Sequence, residues 1–320
     1  MFTAVTLFLV GFILLIKGGD WFVDGATGIA HHFHVPELLI GATVVSIGTT
    51  LPEVMVSATS ALSGHGEISY GNAIGSIICN TSLIAAITVA ARPSKVDRNA
   101  LKTPVIFFFI AAVFYVLTSY LSGEFTRTTG LILLALFVIY MIITILQLKK
   151  NPSAQEEPST EEPEASPAKN VFLLLLGAAV IAVGANLLVD NGTFIARELG
   201  IPESVIALTF VALGTSLPEL VTAITSLIKG HGALSLGNVI GANLFNLVLV
   251  SGLSITLNPF ALPSSKTING MNASLVVDLP LMLFVMTFLT VPALIRGKLS
   301  RAQGVLLLIV YAAFCIFQFA

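Results

Sequence analysis

Two glutamates, Glu53 and Glu219, stand in the middle of apolar stretches, each directly after a Leu-Pro pair. An acidic side chain at the centre of a membrane costs about 2.5–3.5 kcal/mol on an insertion scale, so it normally faces a bundle interior or a cavity. The surrounding segments are related to each other and read GATVVSIGTTLPEVMVSATSALSG and ALTFVALGTSLPELVTAITSLIKG. These features predict a functional carboxylate pair, the alternative being two buried, protonated glutamates that cap backbone groups.

Oxygen-bearing residues accompany each glutamate at helical spacing. Ser46, Thr49 and Glu53 stand at i, i+3 and i+7, which places them on one helix face. The corresponding residues of the second copy are Ala212, Thr215 and Glu219. Hydroxyl, carbonyl and carboxylate oxygens suit hard cations such as Ca²⁺ and Na⁺, whereas a soft metal would need a cluster of Cys or His ligands.

A proline precedes each glutamate and perturbs the helix around it. Pro52 has no N–H, so the carbonyl of Gly48 loses its helical partner. Pro218 has the same relation to Gly214. We therefore predict a broken helix in each copy, with free carbonyl groups within two turns of the carboxylate.

A second motif follows each glutamate and reads GNAIGSIICN in the first copy and GNVIGANLFN in the second. Asn72, Ser76 and Asn80 form a polar stripe at i, i+4 and i+8. The counterpart stripe is Asn238, Ala242 and Asn246. The glycines of these motifs form small-xxx-small pairs that allow close helix approach. We assign interhelical hydrogen bonding to Asn72 and Asn238, and ion coordination to Asn80 and Asn246.

The composition indicates that these motifs lie in a membrane protein. The chain has 320 residues, of which 56% are hydrophobic and only 10% charged, against about 25% charged residues in a soluble domain. Its net charge of −2 gives no reason to expect a nucleic-acid partner. Ten stretches have roughly the 20 apolar residues that a spanning helix needs. They are about 3–29, 37–62, 68–91, 104–122, 128–148, 170–195, 203–229, 234–257, 274–295 and 302–319.

A polar segment divides the chain, and the basic residues orient it. Residues 149–169 hold four prolines and five glutamates, which predicts a disordered acidic linker between a first half, 1–148, and a second half, 170–320. The loops after the odd-numbered spans hold 11 Lys and Arg against three on the other side. The positive-inside rule then predicts a multi-pass protein of the plasma (inner) membrane, with both termini outside and the linker cytoplasmic.

Both motifs belong to one internal repeat. At an offset of 166, residues 36–83 align with 202–249 without a gap, with 22 identities in 48 positions. Each half has five predicted spans, an odd number, so the second copy enters the membrane from the opposite side. Inverted repeats of this kind are typical of secondary transporters, whose sites lie near the midplane between the repeats. The predicted fold is an all-α polytopic membrane protein with ten transmembrane helices in two inverted five-helix repeats.

In combination, GTTLPE, GTSLPE and the two GN-x-x-G-x-x-x-x-N runs resemble the α-repeats of prokaryotic-type sodium/calcium exchangers, in the cation/calcium exchanger superfamily. The match covers about 36–90 and 202–256. The resemblance implies a site built from spans 2, 3, 7 and 8, and long spans 1 and 6 that slide during alternating access. It maps the binding residues onto Thr49, Thr50, Glu53, Ser76, Asn80, Thr215, Ser216, Glu219 and Asn246, with backbone carbonyls at Ser46 and Ala212. The supporting residues are Gly48, Pro52, Asn72, Gly214, Pro218 and Asn238.

The resemblance implies an antiporter that exchanges Na⁺ for Ca²⁺, and not an enzyme. The implied antiporter has no cofactor and no obligatory protein partner. Its partners are the transported ions and the lipid bilayer. Three Na⁺ per Ca²⁺ would make the cycle electrogenic. Asn246 stands where the potassium-dependent branch has Asp, which favours a K⁺-independent protein. Ala242 replaces a serine common in the family and would weaken one Na⁺ position.

The residues leave two alternative functions open. An H⁺-coupled antiporter could use the same two glutamates, but that branch typically has a GN-x-x-E pattern, and Gly75 and Gly241 stand at those positions. A passive channel is less consistent with inverted repeats and proline-interrupted helices. The cluster of His31, His32 and His34 after the first span is interpreted as an interfacial polar turn rather than as a metal site.

Overall fold

The computed structural model describes residues 2–93, 95–150, 166–199, 214–264 and 266–319. Nine helices within these residues are long and apolar enough to cross a membrane, and a tenth, α7, is shorter. The helices are α1 (Phe2–His32), α2 (Glu37–Leu62), α3 (Gly66–Ala91), α4 (Arg98–Leu121), α5 (Arg127–Lys150), α6 (Pro167–Glu198), α7 (Leu217–Lys229), α8 (Gly232–Leu257), α9 (Ser274–Arg296) and α10 (Arg301–Phe319). The prediction of an all-α polytopic membrane protein is confirmed.

Helix ends differ from the predicted spans where local capping extends them. Helix α4 begins at Arg98 rather than near 104, because the Asp97 carboxylate accepts hydrogen bonds from the backbone N–H groups of Asn99 (2.9 Å) and Ala100 (3.3 Å). Helices α5 and α6 extend into both ends of the predicted linker 149–169, whose residues 151–165 lie outside the described part. The first part of the predicted span 203–229 also lies outside it, up to residue 213.

The predicted helix break is wrong for the first copy. Helix α2 continues from Ser46 to Leu62 with Pro52 inside it, and its irregularity is a π-helical turn over Gly41–Val45. One proline removes one backbone hydrogen bond, and the packed helix on both sides holds the axis through it. In the second copy, residues 214–216 form a turn and α7 begins only at Leu217.

Two short antiparallel ribbons join the loops. Strand β1 (Glu124–Phe125) pairs with β2 (Phe260–Ala261), and β3 (Thr267–Ile268) pairs with β4 (Met271–Asn272). The Phe125 ring is buried against the Tyr115 ring, with centroids 4.6 Å apart. The first ribbon therefore ties the α4–α5 loop to the α8–α9 loop at one end of the bundle.

Helices α1 and α6 pack closely and antiparallel along glycines. A Cβ on Gly11 would lie 2.8 Å from the carbonyl oxygen of Gly184, and a Cβ on Gly177 would lie 2.8 Å from that of Gly18. Small residues allow this approach between helices in a membrane, where dispersion contacts drive association. The repeat offset of 166 relates Gly11 to Gly177 and Gly18 to Gly184, so it relates one contact to the other. The first helices of the two repeats, α1 and α6, therefore contact each other in the inverted arrangement.

Candidate functional site

Two helix pairs, α2–α3 and α7–α8, bring the predicted residues into the interior of the bundle. Glu53 and Glu219 are both fully buried, on helices α2 and α7, which contact each other. None of the described Lys, Arg or His side chains forms an ion pair with either glutamate. Two acidic groups are thus held together in an apolar bundle without a resident positive partner.

Four repeat-related pairs of buried side chains carry polar atoms without a hydrogen-bond partner among the described residues, and three of these pairs stand at predicted ligand positions. The atoms of these three pairs are both carboxylate oxygens of Glu53 and Glu219, both amide atoms of Asn80 and Asn246, and the hydroxyls of Thr50 and Ser216. Most buried polar groups in proteins are hydrogen-bonded, so an unpartnered cluster calls for a ligand. The oxygens of this cluster are the ligands that Ca²⁺ and other hard cations prefer.

The two asparagines Asn80 and Asn246 each begin a π-helical turn. These turns span Asn80–Ala85 in α3 and Asn246–Val250 in α8. The first packs on α7 and the second on α2, so each asparagine-bearing turn contacts the glutamate-bearing helix of the other repeat. Single π turns are frequent at functional sites, and no residue pattern in the sequence indicated them.

Reciprocal hydrogen bonds connect the repeats around this cluster. The Thr49 hydroxyl donates to Asn238 Oδ1 at 3.1 Å, and the Thr215 hydroxyl donates to Asn72 Oδ1 at 3.3 Å. The offset of 166 relates Thr49 to Thr215 and Asn72 to Asn238, so the two bonds are equivalent in the two repeats. Asn72 also donates from Nδ2 to the backbone carbonyl of Glu53 at 3.2 Å. The role predicted for Asn72 and Asn238, interhelical hydrogen bonding, agrees with these contacts.

We expect Asn238→Ala to destabilise the protein by about 1–3 kcal/mol, because it removes the partner of a buried hydroxyl. Thr49→Val should then lower the free energy of unfolding by less in the Asn238→Ala background than in the parent protein. Thermal unfolding of the four proteins in detergent measures this coupling as a double-mutant cycle. Asn99→Ala, at an exposed position, is the control. Additive effects of the two substitutions would contradict the bond.

The structure describes most of the residues that were predicted to be ion ligands, but not all of them. Ser46 and Thr49 are buried on one face with Glu53, as predicted, and Ser76 is buried in α3. The Ser46 hydroxyl donates to the carbonyl oxygens of Gly41 (2.6 Å) and Asn238 (2.9 Å), so it is satisfied by protein atoms. Ala212 lies outside the described residues.

The glycines of the second motif differ between the two repeats in how closely other helices approach them. A Cβ on Gly241 would lie 2.6 Å from Cα of Ala42, so α8 approaches α2 closely there. Among the described residues, nothing lies within 4 Å of a Cβ built on Gly71 or Gly75. The segment related to the Ala42 region by the repeat is part of 201–213, outside the described residues.

A cavity of about 660 Å³ reaches this site between the α1–α6 pair and helices α2 and α7. Its polar lining includes Thr49, Thr215 and Asn186. Four predicted supporting residues also line it: Gly48, Pro52, Gly214 and Pro218. The cavity extends along α2 toward Met55 and Val56, the side of Glu53 on which that helix ends. The hydroxyl-bearing residues of both repeats therefore line one space.

Ionic contacts link helices at the opposite end of the bundle. We call this end the basic face and define it by the loops after α1, α3, α5, α7 and α9. Lys229, at the end of α7, pairs with Asp24 (2.7 Å) and Asp20 (3.5 Å) of α1. His231 Nδ1 lies 2.8 Å from Glu37 Oε1 at the start of α2. These contacts join the second repeat to α1 and α2 of the first.

The His231–Glu37 contact should make stability depend on pH. The hydrogen bond to Glu37 raises the pKa of His231 above its usual value of 6.5, with Asp24 favouring the charged ring and burial and Lys229 opposing it. His31 also lies 3.9 Å from Glu37. Because the pKa is raised on folding, the pair's contribution is complete below about pH 6.5 and is lost as the pH rises through the raised value.

We expect the parent to unfold at a higher temperature than Glu37→Gln. This difference should be largest at about pH 6 and should shrink toward about pH 9. Unfolding temperatures in detergent across this range provide the measurement. His32→Gln, on a ring that packs edge-on against Phe33, is the control. A difference that is constant with pH would exclude His231 as the titrating group.

Sequence reasoning missed two polar residues near the site. Asn243 is buried in α8 and donates to the Thr81 hydroxyl at 2.7 Å, while its Oδ1 has no partner. Asn186 of α6 lines the cavity and is the repeat counterpart of Asp20. The offset alignment carried a signal for Asn186, because Asp20 and Asn186 are both polar within apolar spans. Asn243 aligns with Ile77 and had no such signal.

The described residues contain no group of three or more His, Cys, Asp or Glu that could hold a metal ion. Of the three clustered histidines, His34 adopts a left-handed backbone conformation (φ 52°) after the end of α1. The arrangement is that of a turn.

Comparison with known proteins agrees with this architecture. The family model described as "Sodium/calcium exchanger protein" matches residues 3–146 and 169–320. An uncharacterized membrane protein of Methanocaldococcus jannaschii is 36% identical over 307 residues, 96% of this chain and 95% of that protein. The sodium/calcium exchanger MaX1 of Methanosarcina acetivorans is 30% identical over 349 residues, 98% of this chain and 97% of that protein.

A solved structure of the sodium-calcium exchanger NCX_Mj, soaked with Na⁺ and Sr²⁺, superposes with a TM-score of 0.81. It is 35% identical to this chain, and the match covers 98% of this chain and 97% of the other. Family match, relatives and fold all extend over both repeats. The chain therefore belongs to the sodium/calcium exchanger family of membrane antiporters.

Proposed function

We propose that the chain exchanges Na⁺ for Ca²⁺ across the membrane by alternating access at one site shared by the two repeats. The observation that carries the proposal is the set of three repeat-related side-chain pairs at predicted ligand positions whose buried polar atoms have no partner among the described residues. The family membership and the relative MaX1, named as a sodium/calcium exchanger, support the choice of ions. The cations are the transported substrates, and no cofactor is assigned.

The proposed ligands follow the burial and bonding of the site. Glu53 and Glu219 supply the charge, and Asn80, Asn246 and Thr50 supply neutral oxygens. The remaining ligands are Ser76, Ser216, Thr49 and Thr215, with the backbone carbonyls of Ser46 and Ala212. Thr49 and Thr215 are bonded to asparagines of the other repeat, so they would contribute by turning a lone pair toward the ion.

Charge balance explains how one site would couple two ions. Two ionised carboxylates neutralise one Ca²⁺, and their desolvation is tolerable only when a cation is bound. Two or three Na⁺ sharing the same oxygens would exclude Ca²⁺, so occupancy would alternate. Exchange of three Na⁺ for one Ca²⁺ moves one net charge, which responds to voltage by about 2.3 kcal/mol per 100 mV.

The packing supports a division between moving and fixed helices. Helices α1 and α6 contact each other along glycines and border the cavity, so we propose that they slide together over the site. In this structure the cavity extends away from the basic face. Opening toward the basic face would require the Lys229–Asp24 and His231–Glu37 contacts to break.

We also propose the organisation and orientation of the chain. Residues 1–148 and 170–320 form the two five-helix repeats, and 149–169 connect them on the basic face. The excess of Lys and Arg on that face makes it cytoplasmic, with both termini outside a plasma (inner) membrane.

Transport by purified protein in proteoliposomes tests the function. Vesicles loaded with Na⁺ and diluted into Na⁺-free buffer should accumulate radioactive Ca²⁺, and an inside-positive potential should accelerate the uptake. Replacing K⁺ with choline should leave the rate unchanged. Uptake driven by a pH gradient and indifferent to Na⁺ would replace the proposal with H⁺ coupling. Flux without any counter-ion would indicate a channel.

A further inference from the structure

A second cavity, of about 230 Å³, lies at the basic face and is separate from the ion site. It is bordered by the end of α3, by the α7–α8 turn with the first turn of α8, and by Leu299 before α10. We call it the basic-face cavity. None of the proposed ion ligands lines it.

Two cations border this cavity and have no acidic partner. Arg92 and Lys95 line it, and neither forms an ion pair among the described residues. The nearby acid Asp97 accepts hydrogen bonds from the first backbone N–H groups of α4. Its carboxylate is therefore already used as a helix cap.

The surrounding loops hold further positive charge in place. The Lys95 and Lys298 backbones form an antiparallel bridge, and the Val96 N–H donates to the Gly297 carbonyl at 2.9 Å. Arg301 Nε donates to the Ala90 carbonyl at 2.9 Å. These bonds hold the α3–α4 loop, which carries Arg92 and Lys95, against the loop before α10, which carries Lys298.

The interior of the cavity presents further hydrogen-bond donors. Ser235 lines the cavity and is 2% exposed, and its hydroxyl has no hydrogen-bond partner among the described residues. Gly232 and Ala233, at the N-terminus of α8, also line it, and His231 before them makes no side-chain cap. A helix N-terminus, a hydroxyl and two cations together match a phosphate group.

The rest of the lining is apolar except for Thr88, whose hydroxyl donates to the Ala85 carbonyl at 2.8 Å. Val89, Leu227, Leu236 and Leu299 face the same space, at the level where the helices reach the membrane surface. The volume of about 230 Å³ is below the roughly 300–1,000 Å³ of pockets that enclose whole small molecules. It therefore suits the head group of a larger amphiphile whose chains remain in the bilayer.

We propose that the basic-face cavity binds the phosphodiester head group of an anionic phospholipid. Basic pockets between helices at the cytoplasmic surface are a known setting for such head groups. The bound phosphate would connect Arg92 and Lys95 of the α3–α4 loop to the first turn of α8. It would thereby hold the α7–α8 turn against the end of α3.

The repeat supplies an internal comparison. Ser69 is the counterpart of Ser235, and its hydroxyl is also buried without a partner. On that opposite face, Asn258 and Ala261 occupy the positions related to Arg92 and Lys95. The buried serine thus recurs without the cations, so Ser69→Ala is a matched control for Ser235→Ala.

The test is thermal unfolding of the full chain in neutral detergent with added phosphatidylglycerol or phosphatidylcholine. Phosphatidylglycerol should raise Tm by about 3 °C or more over phosphatidylcholine. The Arg92→Gln/Lys95→Gln double variant should lose this difference, and Ser235→Ala should reduce it. Ser69→Ala and Arg127→Gln, the latter on the opposite face, should retain it.

Native mass spectrometry provides a readout that does not depend on folding stability or on transport. The parent should retain one more phosphatidylglycerol than the double variant after detergent removal. Equal responses to the two lipids, or an unchanged response in the double variant, would overturn the proposal. An equal Tm shift with inorganic phosphate at matched concentration would overturn the lipid assignment and assign the cavity to a free anion.

Discussion

Glu53→Gln and Glu219→Gln are each expected to abolish Na⁺-driven Ca²⁺ uptake while leaving the fold intact. Each substitution preserves side-chain shape but removes one of the two buried carboxylates of the proposed ion site. Removing one partner of a buried charged interaction costs about 3–5 kcal/mol, which is at least about a hundredfold in Ca²⁺ binding. Uptake into proteoliposomes and Ca²⁺-induced shifts of Tm measure the two effects separately.

The folding of the glutamine variants should be normal or improved, because each replaces a buried ionisable carboxyl group, unpartnered among the described residues, with a neutral amide of the same shape. Glu67→Gln, an exposed acid at the start of α3, is the matched control and should transport at the parent rate. Normal uptake by either site variant would remove the carboxylate pair from the mechanism.

Gly177→Ala is expected to have the second large effect, through the α1–α6 interface. The added Cβ would lie 2.5 Å from the backbone nitrogen of Phe22, where a carbon contact needs about 3.5 Å. Because the opposing atom is backbone, the helices must separate by about 1 Å. We expect a loss of about 1–3 kcal/mol in stability, as for an overpacked core, together with strongly reduced transport.

Val183→Leu provides the control for this interface. Val183 lies on the same helix and is 53% exposed, so an added methylene is placed at the exposed surface of α6 rather than in its contact with α1. Its Tm and uptake should match those of the parent. A Gly177→Ala protein with parent stability and uptake would show that close packing of α1 on α6 is not needed for movement.

The local parts of the site were predictable because helix periodicity is a local property. The i, i+3, i+7 spacing placed Ser46, Thr49 and Glu53 on one face, and all three are buried together. Apolar length located the spans, and the offset of 166 between Glu53 and Glu219 predicted that two halves would share one site. Helix ends were less predictable, because a single cap such as Asp97 extends a helix by several residues.

The partners across the repeats were not predictable from spacing. The choice of Asn238 by Thr49, and of Asn72 by Thr215, depends on the rotation and axial position of helices distant in the chain. The π turns at Asn80 and Asn246 and the unbroken path of α2 through Pro52 likewise depend on neighbouring helices. Packing, which supplies contacts on all sides of a helix, outweighs the one hydrogen bond that a proline removes.

The sequence by itself determined that this is a membrane protein with an inverted repeat and two carboxylates at depth. Charge, hydropathy and self-similarity suffice for that, because each is a property of residues along the chain. Which buried polar atoms have a hydrogen-bond partner and which have none became visible only in the tertiary structure, since that depends on distances between separate helices. The tertiary structure also decided that Lys229 and His231 bond to the first repeat, and that Arg92, Lys95 and Ser235 border one cavity.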